Sequence, residues 1–129
     1  MDNELSMCID SAIQAMGRAY APYSNFRVGA ALIDQQGHLS IGCNVENASY
    51  GLSICAERNA IAAAVTGGMK KIKILVIVSS AEGFTSPCGA CRQVIAEFSD
   101  EHTRIVLADR NKAIMETNIL SLLPGAFSL

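Results

Sequence analysis

Leu5, Ile9, Ala12, Ile13 and Met16 recur at the three- and four-residue spacing of one helix face. This pattern predicts an amphipathic helix from about Asp2 to Tyr20, ended by Pro22. The spacing then changes. Arg27 to Asp34 and Leu39 to Val45 read as two strands joined at Gln35-Gln36-Gly37, a hairpin with glycine in its turn. Ser53 is a suitable N-cap for a second helix running to about Thr66, and Gly67-Gly68 supplies its stop. That helix is apolar around most of its circumference after the first turn, as expected of one covered on more than one side.

Ile72 to Ser79 is a short, β-branched, continuously apolar run that suits a strand buried on both faces. Ser86-Pro87 offers an N-cap and an N1 proline for a third helix through about Phe98. Thr103 to Ala108 makes another strand, and the tail is a short strand or helix ending in Leu-Leu-Pro-Gly. The order helix, two strands, helix, strand, helix, strand predicts an α/β fold with helices packed on a sheet. The hairpin makes the sheet mixed, and the later strands are expected parallel through right-handed crossovers.

Half of the 129 residues are hydrophobic and 17% are charged, so the chain can bury a core and is not disordered. No repeat, low-complexity tract or linker divides it, which predicts one domain, 1–129. Ten basic against twelve acidic residues leave a net charge of −2, without the cationic excess that a nucleic-acid backbone attracts. No apolar run approaches the roughly 18–20 residues of a membrane span, and the acidic start lacks a secretory pattern. A cytoplasmic protein is expected. Five cysteines, an odd number without a signal for export, argue for reduced thiols used in metal binding, catalysis or packing.

Three of those cysteines fall at helix starts: Cys55 within Cys55-Ala56-Glu57-Arg58, and Cys88 and Cys91 within Pro87-Cys88-Gly89-Ala90-Cys91. Two parallel βα units set their helix N-termini along one sheet edge, so these segments can meet there. Helix dipoles and free N–H groups favour thiolates at that place. Three sulfur ligands suit Zn²⁺ and leave a fourth tetrahedral position for water. Glu57 is the candidate proton carrier beside it. Zinc with three thiolates is net −1, and Arg58, three residues beyond Cys55, can offset that charge. His38 and His102 read as solvated turn residues, and Cys8 and Cys43 as small core side chains. A lone Cys88-x-x-Cys91 also fits a redox pair or a non-catalytic zinc module; its proline, however, precedes the motif instead of lying inside it.

The segments Tyr23-Ser24-Asn25-Phe26-Arg27-Val28-Gly29-Ala30-Ala31, Asn44-Val45-Glu46-Asn47-Ala48-Ser49-Tyr50-Gly51, Cys55-Ala56-Glu57-Arg58, Pro87-Cys88-Gly89-Ala90-Cys91-Arg92-Gln93 and Leu122-Leu123-Pro124-Gly125-Ala126-Phe127 are spread along almost the whole chain. Together they resemble the small, homotetrameric, zinc-dependent cytidine deaminases of pyrimidine salvage. A cysteine as first ligand separates the chain from deaminases of polynucleotides, which usually carry H-x-E, so a nucleoside substrate is expected and no nucleic-acid or membrane partner.

The resemblance implies a three-layer α/β/α sandwich with a mixed five-stranded sheet. It implies hydrolytic deamination of cytidine and 2′-deoxycytidine, with one zinc per chain held by Cys55, Cys88 and Cys91, and Glu57 shuttling protons. Asn44 and Glu46 match a pair that binds the ribose hydroxyls, and Phe26 an aromatic that packs on the pyrimidine. Ala56 would lend its N–H to the base carbonyl, and Ala48 falls among the substrate-binding positions. Tyr50 and Phe127 match residues that reach a neighbouring subunit's pocket, so the sites would be shared within a homotetramer. Asn59 departs from the threonine more usual there, which implies changed contacts behind the ligands or between subunits.

Overall fold

The computed structural model describes residues 2–129; residue 1, the first of the expected domain, lies outside them. Helix α1 (Asn3–Met16) starts at Asp2, whose carboxylate accepts from the Leu5 N–H at 2.8 Å. It ends at Gly17, short of Tyr20. Strands β1 (Val28–Asp34) and β2 (Leu39–Cys43) form the expected hairpin, with Gly37 at φ +89° in the turn. β2 stops at Cys43 because Val45 leaves the sheet to bridge Tyr20 and Ile54 instead.

Strands β3 (Ile72–Ser79), β4 (Arg104–Ala108) and β5 (Ile114–Thr117) complete a five-stranded sheet of order β2-β1-β3-β4-β5. β1 is antiparallel to β2 and β3, β3 is parallel to β4, and β5 turns back antiparallel to β4. The tail is therefore both a strand and a helix: β5 runs into the short α4 (Ile119–Leu122). β2, β3 and β4 all point the same way. Helix α2 (Ala56–Thr66) connects the first two of these and α3 (Gly89–Glu97) the last two.

The period-two alternation of β1, β3 and β4 splits their side chains between two cores. Leu32, Leu75, Ile77, Ile105 and Leu107 pack beneath α2, α3 and α4 with Ala60, Ile61 and Ile95. Ala31, Ile33, Ile74, Val76, Val78 and Val106 pack beneath α1 with Leu5, Cys8 and Ile9. This is the α/β fold with a mixed sheet that the pattern predicts, in the three-layer α/β/α form that the resemblance implies. Among the described residues, no helix is long and apolar enough to cross a membrane.

Both helices that carry the candidate site begin later than the capping pattern predicts. Cys55, not Ser53, is the N-cap of α2, and Cys88, not Ser86, is that of α3. Ser53 instead follows a 3-10 turn at Tyr50–Leu52, and its hydroxyl accepts from the Asn47 N–H at 3.0 Å. Neither cysteine caps its helix through its side chain, so each thiol is free to point off the helix end. Helix α2 lies unusually close to β2. A Cβ on Gly42 would sit 2.4 Å from the Ala60 nitrogen and 2.6 Å from the Ala56 oxygen, so only glycine permits this approach.

Candidate active site

Because β2 and β3 run in one direction, the chain leaves both at the same sheet edge, and α2 and α3 present their N-termini side by side there. Cys55, Cys88 and Cys91 meet at this edge. The Sγ atoms of Cys55 and Cys88 are 3.9 Å apart, those of Cys88 and Cys91 are 3.4 Å apart, and all three lie within 4.8 Å of one another. Three sulfurs tetrahedrally placed at about 2.3 Å from a zinc ion would be about 3.8 Å apart, so the donor set fits the metal in chemistry and in spacing. Among the described residues this is the one cluster able to hold a metal. His38 and His102 stay in turns, with side chains 68% and 83% exposed. Cys8 is fully buried on the sheet-facing side of α1 and donates to the Ala31 carbonyl, so it packs as a core residue.

The electrostatics of the three sulfurs are shared. Hydrogen bonding from the Cys91 thiol holds Cys55 down to about 5, with the Arg58 guanidinium and the Cys88 thiol adding to it. The same bond, together with burial, pushes Cys91 upward. Arg58 Nη2 lies 3.9 Å from Cys55 Sγ, and that thiolate raises the guanidinium in turn. Arg58 Nε is buried and without a partner.

Glu57 is 4% exposed, and burial lifts its carboxyl above the ordinary range, the Cys55 thiolate adding to that effect. Burial thus favours the protonated carboxyl, the direction that lets a carboxylic acid give up a proton as well as take one. Glu57 lines a cavity of about 180 Å³ with Phe26, Asn44, Ile77, Thr85 and Cys88. Ala56 is fully buried on the same wall; as the first residue of α2, its N–H has no partner within the helix.

A second cleft of about 320 Å³ shares Asn44 and Cys55 with the first and is bordered by Tyr23, Ser24, Glu46 and Tyr50. The structure thus brings Phe26, Asn44, Glu46, Tyr50, Ala56 and Glu57 around two adjoining spaces next to the sulfurs. Ala48 is exposed in the loop after Glu46 and lines neither space. Phe127, 70% exposed, also lines neither. It lies in a separate surface groove with Lys71 and Glu97, its carbonyl accepting from Gln93 Nε2 at 3.1 Å.

Several of these side chains carry structural bonds that residue type alone did not reveal. Asn44 Oδ1 accepts from the Val28 N–H and Nδ2 donates to the Phe26 carbonyl, both at 2.8 Å, clamping the start of β1. Glu46 accepts from the Tyr23 and Ser24 N–H groups and from the Ser24 hydroxyl, which hold its carboxyl below the usual range. Asn59 Nδ2 donates to the Cys43 carbonyl at 2.8 Å and ties α2 to the end of β2. Thr85, whose hydroxyl pairs with that of buried Ser79 at 2.6 Å, joins the inner cavity without any motif to announce it.

Comparison with known proteins agrees with this geometry. The family model described as cytidine and deoxycytidylate deaminase zinc-binding region matches residues 2–108. A cytidine deaminase of Sporosarcina psychrophila is 46% identical over 125 residues, 97% of this chain and 92% of that protein. A probable cytidine deaminase of Dictyostelium discoideum is 48% identical over 126 residues, 97% of this chain and 84% of the other. The crystal structure of cytidine deaminase from Burkholderia pseudomallei superposes with a TM-score of 0.90 at 43% identity, covering 98% of this chain and all of that one. With its family model, its relatives and its trio of sulfurs in accord, the chain belongs to the zinc-dependent cytidine deaminase family.

Proposed function

We propose that this protein deaminates cytidine and 2′-deoxycytidine hydrolytically, giving uridine and 2′-deoxyuridine and releasing ammonia. The observation that carries the reading is a buried carboxyl, Glu57, beside three clustered sulfurs on the wall of a cavity. Cys55, Cys88 and Cys91 hold one zinc ion. When bound, zinc supplies a Lewis acid that makes water acidic enough to react near neutral pH.

Glu57 moves the protons. It takes one from water as the oxygen adds to C4 and delivers it to N3. It then takes the second proton of that oxygen to the exocyclic nitrogen, the C4–N bond breaks, and ammonia leaves as the C4 carbonyl forms. One water is consumed per ring, and N3 keeps its hydrogen. Phe26 packs against the pyrimidine in the inner cavity, and the Ala56 N–H donates to the base carbonyl. Asn44 and Glu46, whose amide and carboxylate border the outer cleft, bind the ribose hydroxyls. The Glu46 charge disfavours a phosphorylated sugar, so CMP should be turned over far less well than cytidine.

Ala48 belongs with the substrate-binding positions, and Tyr50 on the outer lip and Phe127 on a different surface complete the sites of neighbouring subunits in a homotetramer. The exposed Ala62, Ala63 and Val65 on α2 support such assembly, since a stripe of apolar surface calls for cover. The chain acts as one domain, 1–129, in the cytoplasm, within pyrimidine salvage. The direct test incubates purified protein with cytidine, follows ammonia, and measures zinc per chain. Ammonia release with one zinc per chain is the expected result; metal-loaded protein that leaves cytidine intact would overturn the reading.

A further inference from the structure

We propose that Arg92 is a positioning residue that fixes the Ser86-Pro87-Cys88 loop, and with it a zinc ligand, to the C-terminal segment of the chain. This rests on the zinc reading above. Arg92 occupies the turn of α3 immediately after Cys91, and its half-buried guanidinium makes bonds to three different places. Nε donates to the Pro87 carbonyl at 2.8 Å, Nη2 to Ser86 Oγ at 2.9 Å, and Nη1 to the Leu122 carbonyl at 2.7 Å.

The need for such a clamp follows from the local sequence. Pro87 has no N–H with which to anchor the loop, and Cys88 at the N-cap makes no side-chain cap bond. The start of α3 therefore lacks the usual devices that fix a helix entry, at the place where ligand geometry matters most. Arg92 supplies them from inside the helix. It reaches back to the two residues before Cys88, while its own N–H bonds the Cys88 carbonyl at 3.0 Å.

The third bond adds a connection that the ligand loop does not otherwise have. Leu122 ends α4, where helix carbonyls lack partners, and a guanidinium is well suited to that end. The next residue, Gln93, holds the Phe127 carbonyl. Adjacent side chains of α3 thus bind the tail at two points, so the seating of Cys88 and the seating of the tail depend on one another. The three acceptors are met by three different nitrogens of one planar fork, a spread that the single nitrogen of a lysine ammonium does not match.

The test compares wild type, Arg92→Gln, Arg92→Lys and Ser86→Ala as purified zinc-loaded proteins. It reads zinc release to a chromogenic chelator, kcat and KM for cytidine, and Tm. Loss of a group that orients a ligand typically costs about 10- to 100-fold in metal retention or activity. Arg92→Gln should release zinc faster by that factor and lose kcat more than it raises KM. Arg92→Lys should recover part of this, and Ser86→Ala, which removes a single bond, should change little. Zinc release unchanged in folded Arg92→Gln, or a lowered Tm without faster release, would overturn the proposal. Wild-type protein that holds no zinc would overturn the underlying reading and the proposal together, and is told apart by metal analysis of the wild type alone.

Discussion

Arg58 Nη2 stands 3.9 Å from the Sγ of Cys55 and helps to hold that thiol below its ordinary range. A guanidinium at that distance offsets part of the negative charge that three sulfurs bring to a divalent cation. Its removal makes the site more negative, which favours the protonated form of every group that must ionise there. Arg58→Gln is therefore expected to keep the fold and to lower kcat by about tenfold or more. The acidic limb of its pH–rate profile should move to higher pH. A profile superimposable on the wild type would refute the assigned role.

Glu57 gives a sharper contrast. The isosteric Glu57→Gln keeps the volume of a residue that is 4% exposed but cannot accept or deliver a proton. Zinc content should stay at wild-type level while the rate falls by about 10²- to 10⁴-fold, the usual contribution of a positioned acid–base group. Metal analysis and ammonia release on one preparation check both halves. A variant with full activity would favour the non-catalytic zinc module.

Phe127 lies in a groove apart from its own chain's two cavities. If it completes a neighbour's site, Phe127→Ala is impaired although Glu57 is intact. Mixed assemblies of Phe127→Ala and Glu57→Gln chains should then exceed the average of their parents, because some sites regain both residues. Activity equal to that average would count against shared sites.

Gly42 and Gly29 both meet helix backbone, on opposite faces of the sheet. A Cβ on Gly42 would crowd the Ala60 nitrogen at 2.4 Å; one on Gly29 would crowd the Ala12 oxygen at 2.0 Å. Overpacking of this kind costs about 1–3 kcal/mol or more. Gly42→Ala pushes on α2, whose N-cap is Cys55 and whose first turn carries Glu57, so kcat should fall along with Tm. Gly29→Ala pushes on α1 and should lower Tm with a much smaller effect on kcat. Equal losses of kcat in the two variants would sever this link between packing and site.

Arg104 forks onto Glu116, at 3.0 Å from Nε and 2.9 Å from Nη2, and holds that carboxyl below its usual range. A carboxyl lowered in the folded state stabilises above its unfolded value, near 4.5, and loses that contribution as pH falls through the lower folded value. Glu116→Gln should thus be slightly less stable at pH 7, by under about 1 kcal/mol for a pair this exposed. The difference should vanish in acid. Denaturant melts at pH 7 and pH 3 measure it, and a deficit that grows in acid would contradict the sign.

The residue pattern alone determined the element order, the two-sided burial of Ile72–Ser79, the hairpin and the three cysteines as one candidate cluster. These are legible because strand and helix periodicities, turn glycines and ligand spacing are local properties of the chain. The helix starts depart from the capping pattern for a local reason as well: Ser53 and Ser86 look like caps, yet the cysteines two residues beyond each take that position. What tertiary structure decided is the set of contacts between segments distant in sequence. The Asn59 bond to Cys43, the Asn44 clamp on β1, the Ser24 grip on Glu46 and the Arg92 link to Leu122 depend on which elements become neighbours. Donor and acceptor types announce that a side chain can bond, but a partner 16 to 30 residues away is chosen only when β2, β3 and the two crossover helices have settled into one edge.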